Sequence, residues 1–193
     1  ETQNWEAAQA RQQVSPGGFV RTRDAARMAL LLADQTQIRL NQNTVLQVKA
    51  VASPGAATRL SLGQGRAWAQ TRNVGASGPL TVETPAATAA IRGTDWELDV
   101  GPDGRTQLTV LSGTVTLSNA LGSLDVGRNE AAIAEVGKAP VPGFGHIGAD
   151  DPIDDCHDNR PIFWGQVEHR HEHGNRLLLR EIGDKFASAP GLQ

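Results

Sequence analysis

Two groups of side chains in this sequence have the types and spacing for chemistry. His169-Arg170-His171-Glu172-His173 sets three imidazoles at alternate positions, so a strand would face all three one way, and a helix would place His169 and His173 four apart. Either geometry offers two or more nitrogen ligands to Zn²⁺ or Ni²⁺, with Cys156, His157 or a nearby aspartate to complete a shell. The spacing matches no established metal motif, and His-rich acidic tails are commonly solvated. His169, His171 and His173 are therefore metal-site candidates set against a plainer reading, and no resident cofactor is expected.

Asp95-x-Glu97-x-Asp99 is the second group. It alternates with Trp96, Leu98 and Val100, which puts the three carboxylates on the outward face of one strand, where solvent exposure is the default. Glycosidases need two carboxyls roughly 5–10 Å apart, and same-face strand neighbours meet that distance by geometry alone. Residues 1–140 contain no His, Cys or Tyr, so carboxylates alone remain for acid-base work, and a sugar cleft would want the aromatic platforms that a chain without tyrosine lacks. No catalytic residue is assigned and the chain is expected not to be an enzyme.

The elements that hold these residues are strands. Met28, Leu30 and Leu32; Ile38 and Leu40; Leu60 and Leu62; Leu108 and Val110; and Val115 and Leu117 alternate with polar residues, and no helical period competes before position 140. A weak repeat overlies the alternation: Ile38-x-Leu40-x-x-Asn43-x-Val45, Leu60-x-Leu62-x-x-Gly65-x-Ala67, Leu108-x-Val110-x-x-Gly113-x-Val115 and Leu124-x-Val126-x-x-Asn129-x-Ala131. Two residues point into the core, the chain turns, and Gly or Asn sits where the backbone needs positive φ. Small inward residues (Ala67, Ala69, Ala87, Ala89, Ala131) call for thin layers. The reading is all-β: stacked hairpins in a twisted, solenoid-like domain over 14–139.

Beyond it, 140–193 reads as an acidic, His-containing linker and tail, with a short helix over 176–186 from the spacing of Leu177, Leu178, Ile182 and Phe186. Residues 1–140 carry thirteen Lys+Arg against twelve Asp+Glu, so there is no basic field for nucleic acid. The single Cys156 excludes an internal disulfide framework. No stretch approaches the ~18 apolar residues of a membrane span. Starting at Glu1 without an apolar leader, the sequence reads as a mature product or a segment.

The most specific run is Thr84-Pro85-Ala86-Ala87-Thr88-Ala89-Ala90-Ile91-Arg92-Gly93-Thr94-Asp95-Trp96, followed by Val110-Leu111-Ser112-Gly113-Thr114-Val115. It resembles the signature of the FecR family, in which a Thr-Pro step, a small-residue run and an Arg-Gly-Thr triplet precede a strand and a Val-Leu-x-Gly-x-Val hairpin. Pro16–Thr22 and Ala29–Leu40 are similar to the family's opening elements, although Gln35 stands where the family usually has glycine. Arg92, Gly93, Thr94, Trp96 and Gly113 are the signature residues. Their structural reading is a corner, with Arg92 bonding carbonyls there; the functional reading has Arg92 bind a carboxylate on a partner loop. Trp96 reads as core, and Trp68 stands between packing and a docking anchor.

The resemblance implies a non-enzymatic signalling or scaffolding domain of the bacterial envelope or periplasm, acting by protein–protein contact. Its partner would be an envelope protein such as an outer-membrane receptor or a membrane-bound regulator, not nucleic acid. The alternative is a β-helical domain that binds or modifies carbohydrate or another ligand, assisted by metal through the tail.

Overall fold

The computed structural model describes residues 5–32, 36–51, 57–70 and 80–143, and the backbone of Val167–Arg170 and Leu177–Leu179. All the secondary structure among these residues is β, as alternation predicts, in two layers that share one strand. Strands are numbered along the chain. In the first layer the order is β1 (Glu6–Ala7), β16 (Val167–Arg170), β3 (Phe19–Thr22), β6 (Val45–Ala50), β7 (Arg59–Gln70), β8 (Leu80–Glu83), β9 (Thr88–Ile91), β12 (Val115–Asn119) and β13 (Gly122–Val126). In the second it is β2 (Gln13–Val14), β17 (Leu177–Leu179), β4 (Met28–Leu31), β5 (Gln37–Leu40), β7, β10 (Asp95–Val100), β11 (Thr106–Ser112), β14 (Glu130–Ala134) and β15 (Val141–Gly143).

β7 belongs to both layers. Its first half pairs with β6 and β8, and its second half with β5 and β10, so the layers form one continuous sheet folded over a single core. Val20, Leu46, Leu62 and Leu117 from the first layer meet Leu30, Ile38, Leu98 and Leu108 from the second in that core. Alanines at positions 67, 69, 89, 132 and 134 keep the layers thin, and among the described residues Trp96 is the one large ring fully inside.

The solenoid expectation does not describe this arrangement. A solenoid stacks parallel rungs, whereas every described pairing here is antiparallel except β7–β8. The repeat marks the passages between layers, not hairpins within one. Passing from β1 to β2 the chain holds Arg11 at positive φ, and at the following passages Gly17, Ala25, Asn43, Gly65, Gly93, Gly113 and Asn129 take that role. A left-handed residue folds the backbone sharply enough for the strands on both sides to keep their apolar faces inward.

Phase after the corner is not uniform across the four repeat positions. After Gly65 (φ 90°) and Gly113 (φ 82°) the second following residue, Ala67 or Val115, is in the core. After Asn43 (φ 55°) and Asn129 (φ 62°) it is the third, Leu46 or Ala132, so Val45 is not the inward residue that the repeat predicts, and Ala131, although buried at 5% exposure, stands apart from the core cluster. A register shift between Val45 and Leu46 accompanies the first of these.

Among the described residues of 140–193 there are three short strands. β15 pairs with β14, β16 lies between β1 and β3, and β17 lies between β2 and β4. Where helical spacing predicts a helix over 176–186, Leu177–Leu179 is strand; the rest of that span lies outside the described residues. Backbone demand overrides the weak period, because β2 and β4 each present an open row of N–H and C=O groups that this tripeptide satisfies.

Candidate functional site

The signature forms the corner between β9 and β10. Gly93 (φ 64°) makes the bend, and Thr94 behind it is buried at 1% exposure. A Cβ built on Gly113 would lie 2.5 Å from Thr94 Cγ2 and 3.1 Å from the Gly93 carbonyl oxygen. The β9–β10 and β11–β12 corners thus pack backbone against side chain with no room for a methyl group at Gly113, and Gly93 suits its corner through its positive φ. Trp96 is 0% exposed, in the core as its phase with Leu98 predicts.

Arg92 differs from the structural expectation. It is exposed, and among the described residues its side chain makes no hydrogen bond to the corner's carbonyls. The corner is held by packing, and the guanidinium is left facing solvent.

On the opposite rim the same construction recurs with threonine hydroxyls. Thr22 Oγ1 donates to the Asn41 carbonyl at 2.5 Å and accepts from Thr44 N–H at 3.0 Å, and Thr44 Oγ1 accepts from Arg66 N–H at 3.1 Å. A Cβ on Gly65 would fall 2.4 Å from Thr44 Oγ1. Thr22, Thr44 and Thr94 are all buried beside layer passages. Sequence reading singles out Thr94 but misses the roles of Thr22 and Thr44, although Thr44, like Thr94, directly follows a corner residue of positive φ.

The carboxylate row lies on the outer face of the second layer, as alternation predicts, but its setting is not simple exposure. Register places Glu97 beside Trp68 and Asp99 beside Arg66. Arg66 binds both acids, with Nη2 2.7 Å from Asp99 Oδ2 and Nε 3.4 Å from Glu97 Oε1. Glu97 is only 6% exposed, and Trp68 is 7% exposed with the Arg39 guanidinium 5.1 Å from its ring centroid. Asp95 accepts from Gln70 Nε2 at 3.2 Å. The row is thus an ion-paired cluster built on β7 and β10. Arg66 was not singled out from the sequence because its partnership depends on register, which alternation leaves open.

Beside Arg66 a polar cavity of about 470 Å³ is lined by Arg27, Asn41, Gln64, Gly65, Asp99 and Gly101, among others. Arg27 Nε donates to Asn41 Oδ1 at 3.2 Å across it. At the chain's beginning, Trp5 packs edge-on to Phe19 (6.4 Å) beneath Arg21 (4.3 Å). Of the proposed metal ligands, His169 occupies a β16 position opposite Val20 on one side and Glu6 on the other, and His171 and His173 lie outside the described residues. Among the described residues no group of three or more His, Cys, Asp or Glu is placed to hold an ion.

The sequence matches the FecR protein family over residues 19–116, just over half of the chain, from β3 through the Gly113 corner to the start of β12. This chain belongs to the FecR family. Among solved structures, two crystal structures, at 2.50 and 1.65 Å resolution, of a protein described as a "putative anti-sigma factor" from Parabacteroides distasonis ATCC 8503 share the fold. Each superposes with a TM-score of 0.56 at 16% sequence identity, covering 65% of this chain and 58% of theirs. The chain therefore spans less than two thirds of the length of these neighbours. No curated protein matches the sequence. No helix among the described residues is long and apolar enough to cross a membrane.

Proposed function

We propose that this FecR family chain is a regulatory signalling domain of the bacterial envelope, on its periplasmic side, that works by protein–protein contact and not by catalysis. The observation that carries the reading is the family match over 19–116, whose most specific triplet contains a solvent-facing arginine on a rigid corner. The anti-sigma description of the Parabacteroides distasonis protein belongs to the same regulatory class. The carboxylates closest to the triplet that could have served acid-base chemistry are engaged with Arg66 and Gln70.

In this reading Thr94, Trp96 and Gly113 hold the corner, and Arg92 presents a cation to a carboxylate on an outer-membrane receptor or a membrane-bound regulator. The test replaces Arg92 with a photo-crosslinking residue in the protein as its host expresses it. One discrete adduct in the envelope fraction is expected, suppressed by an excess of wild-type protein and suppressed less by folded Arg92→Glu protein. A folded, correctly located protein that yields no adduct, or a competitor unaffected by Arg92→Glu, would count against the contact.

A further inference from the structure

The first layer ends on β13, whose outer edge pairs with nothing among the described residues. Of the strands that end the two layers it is the longest, five residues against two for β1, two for β2 and three for β15. β15 also carries Pro142, which cannot donate to a neighbour. β13 (Gly122-Ser123-Leu124-Asp125-Val126) carries neither lysine nor proline, the usual guards of an exposed edge.

Hairpin geometry fixes which groups face outward. β12 and β13 join through the two residues Ala120 and Leu121, so Asn119–Gly122 is a hydrogen-bonded pair and, by alternation, so are Leu117–Leu124 and Val115–Val126. The N–H and C=O groups of Ser123 and Asp125 point to the open edge. Their side chains are exposed on the outer face, and Leu124, half-buried, packs against the core from the rim.

We infer that β13 pairs with β13 of a second copy of this chain, antiparallel about a two-fold axis at Leu124. That register sets Ser123 opposite Asp125 of the other copy twice over, so both outward N–H groups and both outward C=O groups of each strand find partners. The Ser123 hydroxyl faces a carboxylate in each pair, and no like charges stand directly opposite. Leu124 meets its own copy at the closer, non-hydrogen-bonded position, which completes the core rim. Leu121 (60% exposed), at the hairpin tip, would lie over the partner's Gly127 turn. With Val136 and Val141 it is one of the large apolar residues that the described surface leaves most exposed. An edge of five residues buries less than the roughly 1,200 Å² of a standard interface, so the dimer forms reversibly with concentration.

Sedimentation equilibrium of the full chain over a wide concentration range tests this, independently of the Arg92 contact. A monomer–dimer equilibrium is expected, weakened at least tenfold by Ser123→Pro, which removes an outward N–H, and by Asp125→Lys, with the thermal transition retained. In a Cys156→Ser background, Leu124→Cys should form a disulfide dimer on mild oxidation, whereas Ser118→Cys, on the neighbouring strand, should not. If Ser123→Pro fails to fold, the cysteine pair decides alone. Monomer at every concentration without Leu124→Cys cross-linking overturns the proposal, as does a dimer indifferent to both edge variants. An edge whose Ser123 and Asp125 amides gain protection only when a different protein is added assigns it to that partner and equally overturns the homodimer.

Discussion

Gly113 and Thr94 are in a contact that excludes a single methyl group: a Cβ at 113 would stand 2.5 Å from Thr94 Cγ2, on a backbone already at φ 82°. Gly113→Ala therefore meets a steric and a conformational penalty together, and should destabilise the fold by about 2–3 kcal/mol in urea unfolding. Adding Thr94→Ser removes Cγ2 and should restore about 1 kcal/mol, because the φ strain and the Gly93 carbonyl contact at 3.1 Å remain. Additive losses in the double variant would show that the two residues do not share one tight contact.

The asparagine corners should behave differently. Asn129 holds φ 62°. Asn129→Gly is expected to leave stability within about 0.5 kcal/mol, and Asn129→Val to cost about 1–2 kcal/mol, because only a β-branched side chain opposes the left-handed backbone. Equal effects of Gly and Val in thermal melts would contradict the corner assignment.

Arg66 neutralises Glu97, which is 6% exposed. Arg66→Met should cost about 3 kcal/mol, the low end for breaking a buried pair, since the arginine side chain keeps 23% exposure. Arg66→Met with Glu97→Gln should recover much of that loss by removing the stranded charge. A double variant no better than Arg66→Met alone would argue that the arginine acts by packing.

Glu83 links two strands of the first layer, with Lys49 at 2.6 Å and Arg59 at 3.2 Å. The Lys49 hydrogen bond chiefly, opposed by burial and helped by Arg59, holds its carboxyl below the ordinary glutamate value of 4.5. A lowered folded-state pKa adds stability that is fully present above pH 4.5 and fades as the pH falls through the folded value. Lys49 and Arg59 are substantially exposed, so the contribution is about 0.5–1 kcal/mol. Glu83→Gln should flatten the acid limb of the stability curve by that amount and leave its shape above pH 6 unchanged to about 0.2 kcal/mol. An unaltered acid limb would remove Glu83 from the account.

Much of this was legible in the residues. Asn43, Gly65, Gly113 and Asn129 stand out by type and spacing, and each holds positive φ. That they carry the chain between layers was not legible, because a local pattern says how sharply the backbone bends and not which strand lies next to it. Val45 misses the core for a related reason: the local pattern does not say whether the strand after a bend resumes its inward phase at the second residue or at the third. Trp96 was readable from its alternation with Leu98. Glu97 was not, since its burial comes from Arg66 and Trp68 on a strand about thirty positions earlier. The strand at Leu177–Leu179 lies furthest from sequence logic, because what makes it β is the open backbone of β2 and β4, more than 140 residues upstream.

That last pairing has a consequence for how the protein is made. β16 sits between β1 and β3, and β17 between β2 and β4, so the early strands of the fold pair with strands more than 140 residues further along. Until β16 and β17 have been made, β1 and β2 have no neighbours among the described strands, and the edges of β3 and β4 that those strands cover stand open. A domain stitched shut in this order can close only after its later strands have been synthesised.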